Sequence, residues 1–558
     1  MKPLSVHMPS EYVEDEEPSP AFPQTSLIRR DRDDEESHYG NNTRVNPPEP
    51  PTKACLIGLT IFVCLLVLLA VLIAIWGFRP AAPAAGDAAM QAEGKQVDAS
   101  ANGGATSGGS GSAGSTGGNG QAPPPDPPLH DYKAALNLCL DFFDAQKSGD
   151  LGLPELETRG LKQRAVDLLK WGVDWLLMAD LGRGCVVAQV GDSAAQNSCW
   201  QRPEDDSTAR PVYTVVGANG PGAAVLADMA AAFAAASHVF GEFDPGYAAS
   251  LRDHAAMLFE LATTATSTDD TALPGTLPYQ PPPSSLPAFH DELLWAAAWL
   301  WRTTMSDPLH QYLLKPQHAS LSYTLAFTHA NKAAGAAVLL ATFVLGPMEE
   351  EDEATTQASG ADVIFRFQKL VEASICASTA DVPSRTSADT LAQNMPKTQG
   401  GLLWLDEIEP LHAAVQAAFL LKTYSRFLKQ GAEDEGRCSG VSPHAVSTLS
   451  RSQIDYLLGS NPQQLSYMVG FDEKYPKFVR HQGASIPSLA SDPTVYTCSS
   501  GQQWLQSSSP NPNILSGAVV GGPDHDDNFN DSRDNRLNEP AIYINAALVG
   551  LLASFSSP

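Results

Sequence analysis

The stretch "RAVDLLKWGVDWLLMAD", Arg164 to Asp180, repeats its apolar residues at helical spacing. Leu168, Trp171, Trp175 and Leu176 fall on one stripe, a period that a strand does not follow. The same reading extends outward along the chain. "GAAVLADMAAAFAAASHVF" (Gly222–Phe240) predicts an Ala-rich helix, and "DELLWAAAWLWRTT" (Asp291–Thr304) predicts another. "NKAAGAAVLLATFVLG", "LHAAVQAAFLLKTYSRFL" and "SRSQIDYLLGSNP" read the same way. The last helix, "PAIYINAALVGLLASF", starts with Pro540 at a first-turn position, where its missing N–H costs nothing. Alternating strand patterns are scarce. The expectation is an all-α domain whose long Pro- and Gly-rich loops carry the function. Small Ala faces let helices approach closely, as a two-layer helical barrel requires.

Upstream of this domain the chain changes character twice. Residues 1–53 are polar and predict a disordered tail. "ACLIGLTIFVCLLVLLAVLIAIWGF" (Ala54–Phe78) is 25 residues without a charge, long enough to cross a hydrocarbon core as a helix. It lies too far from Met1 to be a cleaved signal peptide. Arg44 and Lys53 before it and Arg79 after it lean towards an N-terminus in the cytoplasm. Residues 79–128 form a Gly/Ser linker that ends in "APPPDPP". The layout predicts a single-pass type II membrane protein, held in the lipid bilayer by residues 54–78, with residues 129–558 folded outside the cytoplasm.

The formal net charge is −28, so a phosphate backbone is repelled and nucleic acid is not an expected partner. A neutral polysaccharide is compatible with this charge. Eight cysteines are spread from 55 to 498 with no CxxC pair, which excludes a zinc ribbon and leaves room for one or two disulfides.

Eight motifs then appear in a recognisable order. "LKWGVDWLL", "QVGD", "CWQRPEDDSTARPVYTV", "DELLWAAAWLWR", "GGLLW", "SQIDYLLGSNPQQLSYMVGF", "GASIPS" and "GAVVGGPDHDDNF" followed by "EPAIYINAALVG" resemble glycoside hydrolase family 9. That family consists mostly of endo-β-1,4-glucanases (cellulases). The resemblance implies an (α/α)6 barrel with an open cleft and endo-hydrolysis of β-1,4-glucan with inversion, without an obligate cofactor; some relatives carry structural calcium, but the sequence has no dense Asp/Asn loop of the EF-hand type, and no metal site is expected. Tail, anchor and catalytic domain in this order resemble the plant membrane-anchored endoglucanases of the Korrigan type, at the plasma membrane or Golgi.

Inversion needs two carboxyl groups: an acid that protonates the leaving oxygen, and a base that activates water from the opposite side. Glu539 matches the family's proton donor, and the apolar helix behind it supplies a setting that raises a carboxyl pKa. The alternative for Glu539 is a helix N-terminal cap. Asp531 matches the family's aromatic-x-Asp motif, with Phe529 as the aromatic, and is expected to orient neighbouring groups. His481 and Gln482 lie where the family reads His-His-Arg, and both are candidate sugar contacts. Trp200 and Trp404 are the candidate stacking platforms. Trp295 and Trp299, four apart on one helix, read as core.

Several positions depart from the family pattern. Arg480 replaces the sugar-binding histidine and Gln482 replaces an arginine. Arg536 stands where an aromatic is usual, and the Asp531–Glu539 interval is one residue short. His329 and Ala330 replace Trp-Asp. The base normally lies in an Asp-Ala-Gly-Asp segment before the "LKWG" helix. Here only Gly152–Ala165, 14 residues, separate Leu151 from Val166, and they hold no Asp-x-x-Asp. The barrel is therefore expected to be incomplete. Three readings stay open: an endoglucanase lacking its base segment in this chain, a glucan binder that does not cut, or a membrane-tethered scaffold of wall synthesis.

Overall fold

The computed structural model describes residues 129–146, 160–182, 184–192, 198–216, 222–264, 289–321, 325, 327–328, 331–342, 362–364, 366–371, 395–430 and 443–556. The expected tail, membrane span and linker (residues 1–128) lie outside the described residues, as do Leu151, Gly152–Glu157, His329 and Ala330.

The described regular structure includes twelve named helices and one hairpin, besides short 3-10 turns and helical residues at 362–364 and 366–371. They are α1 (Tyr132–Ala145), α2 (Leu161–Ala179), β1 (Cys185–Val190), β2 (Val212–Val216), α3 (Ala223–Phe240), α4 (Pro245–Thr264), α5 (His290–Thr304), α6 (Asp307–Leu313), α7 (Ala333–Ala341), α8 (Pro410–Gln430), α9 (Pro443–Leu458), α10 (Gln482–Ser485), α11 (Cys498–Leu505) and α12 (Ile542–Ser556). The expected all-α class holds, and the stripe on α2 is confirmed. Leu168, Leu169, Val173 and Leu176 are buried, while Trp171 and Trp175 sit half-buried at its edges.

Packing closes on itself. α1 packs on α2, α2 on α3, α3 on α5, α5 on α7, α7 on α8, α8 on α12, and α12 back on α1. α4 and α9 lie outside this ring, against α3 and α8 respectively. The closure explains the composition of α3. It is apolar on every side because it is covered on every side, with Ala230 to Ala236 at 0% exposure. Alanine has the highest helix propensity and no side-chain entropy to lose, so a crowded central helix suits it. α3 is also long and apolar enough to cross a membrane, but 89% of it is buried within the fold, so it is a core helix. Trp295 and Trp299 are core, as expected: they are 4% and 1% exposed and meet edge to face at 5.7 Å.

The hairpin is a feature that the period-2 reading missed. β1 and β2 pair antiparallel, with an irregularity between Val187 and Gln189. The loop they bracket carries Cys199, Trp200 and Arg202. A disulfide joins Cys199 to Cys498 at the start of α11, across 299 residues of sequence. Arg202 is 1% exposed. It pairs with Asp205 at 2.7 Å and donates to the carbonyls of Pro487, Asp492 and Thr494. One buried guanidinium thus fastens this loop to residues 487–494.

Candidate active site

Glu539 follows a short 3-10 turn, Arg536–Asn538, and precedes α12. No acidic residue lies in the first turn of α12, so the cap reading of Glu539 is not what the structure shows. The backbone is fixed on both sides of the acid. Pro540 bridges Val520, and the Asn538 carbonyl accepts from the Arg480 N–H at 2.9 Å. Asn538 is fully buried, and its amide donates to Phe478 O and to Asp531 Oδ1, both at 2.8 Å.

Asp531 is held by three donors. Its two oxygens accept the backbone N–H groups of Lys477 (2.7 Å) and Phe478 (3.0 Å) as well as the Asn538 amide. It therefore locks segment 477–480 against segment 531–539. Arg533, two residues on, is 2% exposed and donates to Ser507 O, Ser509 O and Asn511 Oδ1.

The interlock delivers Arg480 to the acid. Arg480 donates to Arg533 O at 2.8 Å, and its Nε stands 3.7 Å from Glu539 Oε2. The Glu539 side chain is 46% exposed, so water and substrate can reach it, yet enough protein surrounds it to matter electrostatically. Burial raises its pKa, the nearby Arg480 and Arg536 pull it down, and Glu409 pushes it up; the net direction is upward. A carboxyl that is accessible and still holds its proton more tightly than usual suits a general acid.

The candidate sugar contacts divide. Trp404 is half-buried, with His525 edge-on at 5.2 Å, and keeps surface for stacking. Its turn is anchored by Asp527, which accepts the Gly400 N–H and the Tyr456 hydroxyl, both at 2.5 Å. Trp200 corrects the expectation of an open platform. It is 6% exposed, its indole N–H donates to Ser485 Oγ at 3.0 Å, and the Arg480 guanidinium lies 5.4 Å from its ring centroid. Its neighbour, the disulfide, sits in the same buried seam, so this indole braces Arg480 from within the wall.

His481 and Gln482 also hold structure. His481 is the N-cap of α10, and its Nδ1 accepts the Ala484 N–H at 3.1 Å, which leaves the proton on Nε2. Burial pushes its pKa down to about 4. The Gln482 amide donates to Cys199 O at 2.8 Å and so ties α10 to the disulfide loop. Sequence reading missed Glu409 and Tyr543 beside the acid. Their hydrogen bond joins residues 134 apart in sequence, so no local spacing announces it.

The architecture is that of a known class. An endoglucanase of the termite Nasutitermes takasagoensis superposes with a TM-score of 0.58, covering 77% of this chain and 99% of that one at 24% identity. The cellulase Cel9M of C. cellulolyticum, solved also with cellobiose, gives 0.57 over 76% and 98% at 21% identity. The helical fold is thus that of the (α/α)6-barrel cellulases. The model of glycosyl hydrolase family 9 matches residues 154–552, and this chain belongs to that family. Endoglucanase 3 of Oryza sativa subsp. japonica is 38% identical over 485 residues, covering 76% of this chain and 92% of that protein. Endoglucanase 19 of Arabidopsis thaliana is 34% identical over 488 residues, covering 77% and 75%. Family, relatives and fold define a glycoside hydrolase of the endoglucanase type.

Proposed function

We propose that this chain hydrolyses internal β-1,4-glucosidic bonds of cellulose or a related glucan with inversion, and that Glu539 is its general acid. The observation that carries the reading is the setting of Glu539: solvent-accessible, bounded by Arg480 and Arg536, and raised in pKa by burial. Glu539 gives its proton to the glycosidic oxygen as the bond to the anomeric carbon breaks. A water deprotonated by an opposing carboxylate attacks the other face of the ring. Trp404 offers an apolar face to a sugar ring. Arg480 favours the carboxylate that remains after transfer, so it assists the charge that develops on the acid. Asp531 acts through Asn538 and segment 477–480.

A second reading follows from one observation. Gly152–Ala165 contains no Asp-x-x-Asp, and without a general base the same cleft grips glucan without cutting it. A non-catalytic binding or scaffolding protein of the cell wall is that alternative. Proton NMR of early products from a soluble cello-oligosaccharide separates the two. Initial release of the α-anomer supports inversion, the β-anomer overturns it, and binding without release supports the glucan binder.

The membrane reading rests on Ala54–Phe78, an uncharged run of spanning length. The Cys199–Cys498 disulfide supports a catalytic domain on the extracellular or luminal side, where disulfides persist.

A further inference from the structure

A hydrogen-bonded chain through buried His412 and Gln416 ends at half-buried Glu409, beside the proton donor. The turn before α8 is capped by Asp406, whose Oδ1 accepts the N–H groups of Ile408 (2.7 Å) and Glu409 (2.8 Å). This turn presents the Glu409 side chain towards the start of α12. Tyr543, four residues after Glu539, donates its hydroxyl to Glu409 Oε1. The other oxygen, Oε2, lies 2.9 Å from His412 Nδ1. His412 Nε2 lies 2.9 Å from the Gln416 amide nitrogen, a donor, so Nε2 accepts and Nδ1 carries the proton. The rings of His412 and Tyr543 pack 4.4 Å apart. Both Glu409 oxygens are therefore held, and the carboxylate cannot swing out to solvent without breaking two hydrogen bonds.

The backbone brings the two acids to one place by a separate route. Leu411 N–H donates to Gly521 O at 3.0 Å, Gly522 N–H donates to Leu537 O at 3.3 Å, and Val520 bridges Pro540. Residues 520–522 are thus clasped between the start of α8 and the segment that carries Glu539. Gly522 has φ +113°, and a Cβ there would meet Leu411 Cγ at 2.6 Å, so only glycine permits this approach.

We propose that Glu409 is a positioning residue for Glu539: a second carboxylate, fixed by Tyr543 and His412, that keeps the donor in its proton-bearing form. The inference rests on the reading of Glu539 as general acid. Glu539 is flanked by Arg480 from the 477–480 segment and by Arg536 from its own turn, and both favour its ionised form. Burial is the largest influence holding the proton on Glu539, and the two guanidinium groups oppose it. Glu409 adds a negative charge on the side of burial; Tyr543 beside it is raised by burial first, then by the charges of Glu409, Glu539 and Asp406. The site therefore sets burial and one held anion against two cations. Arg480 steadies the carboxylate after proton transfer, while Glu409 restores the proton before the next encounter.

The test reads the proton on Glu539 directly and needs no turnover. The full chain, solubilised in detergent, is labelled with a carbodiimide and an amine across a pH series, since this chemistry requires the protonated carboxyl. Trypsin cleavage after Arg536 releases a peptide from Leu537 in which Glu539 is the one side-chain carboxyl. In Glu409→Gln the labelling midpoint of Glu539 is expected to fall, with about threefold less label at the wild-type midpoint pH. Glu409→Asp restores the charge and is expected to recover part of the shift. In Arg480→Gln the midpoint rises. If Glu409→Gln does not fold, Tyr543→Phe carries the test, because it releases Oε1 while keeping the ring against His412. An unmoved midpoint in whichever variant is read overturns the proposal. A shifted midpoint in a chain that releases no reducing ends would show Glu409 acting on the Glu539 proton while removing the hydrolase reading, and with it the catalytic purpose; turnover with an unmoved midpoint would overturn the role of Glu409 and leave the hydrolase reading.

Discussion

The ring of helices and the loop region between α9 and α12 are held together in different ways. In the ring, α3 and α5 bury apolar side chains on nearly every face, and stability comes from close contact of small residues. From residue 459 to 541 there are only two short helices and a 3-10 turn. Order there comes from polar side chains that satisfy backbone groups: buried Asn461, Arg202, Asp527, Arg533 and Asn538, and half-buried Asp531. A catalytic loop cannot rely on regular backbone pairing, because its chain must bend where the chemistry requires. It relies instead on side chains that replace that pairing, each left costly to remove by its own burial. The scaffold should therefore tolerate loss of a polar group and resist added volume, whereas the loop region should show the opposite sensitivity.

The largest expected break is in the loop region. Arg533→Met removes three hydrogen bonds made by a buried guanidinium and is expected to cost about 3–5 kcal/mol, read by urea unfolding of the purified protein. A loss below about 1 kcal/mol would mean that the loops are held by something other than these staples. Removing the covalent tie with Cys199→Ser and Cys498→Ser together should cost about 2–4 kcal/mol. That change should also loosen Arg480 through Trp200, so its effect on substrate affinity should exceed that of an equally destabilising change in the ring. On the scaffold side, Ala231→Leu inserts volume into a helix with no free face and should cost about 1–3 kcal/mol by the same unfolding measurement.

The smallest expected effect concerns pH. Burial lowers the pKa of His238, His318 and His481 to about 4, from ordinary values near 6.5. Between pH 6.5 and 4 the unfolded chain binds these protons and the folded chain does not. Stability is therefore fully present above pH 6.5 and falls as the pH drops towards 4. His481→Asn keeps an N-cap acceptor but removes the titration, so the slope of melting temperature against pH in this window should flatten. An unchanged slope would show that the cap histidine already takes up its proton while folded.

The same contrast explains what was legible from sequence. The helices of the ring announce themselves because each carries its own period; Leu168, Leu176, Trp295 and Trp299 are buried as that period requires. Glu539 and Asp531 were singled out through the motif that surrounds them, and their chemical roles are proposals. The roles of Trp200, His481 and Gln482 were not, because each is decided by a distant partner: Ser485, the α10 backbone, and the Cys199 carbonyl. Trp200 has the right type for sugar stacking, but the Arg480 guanidinium lies over its ring. The β1–β2 hairpin was missed because its strands are short and irregular, and Glu409 because its meeting with Tyr543 depends on the closed ring.

The account turns on one proton. Reducing-end release from soluble cellulose by the purified chain, set beside its Glu539→Gln variant, measures that proton most directly. The expected result is measurable release by the wild type and a fall of about 100-fold or more in the variant, with unchanged unfolding. Equal release from the two proteins would contradict the assignment of Glu539 as the acid.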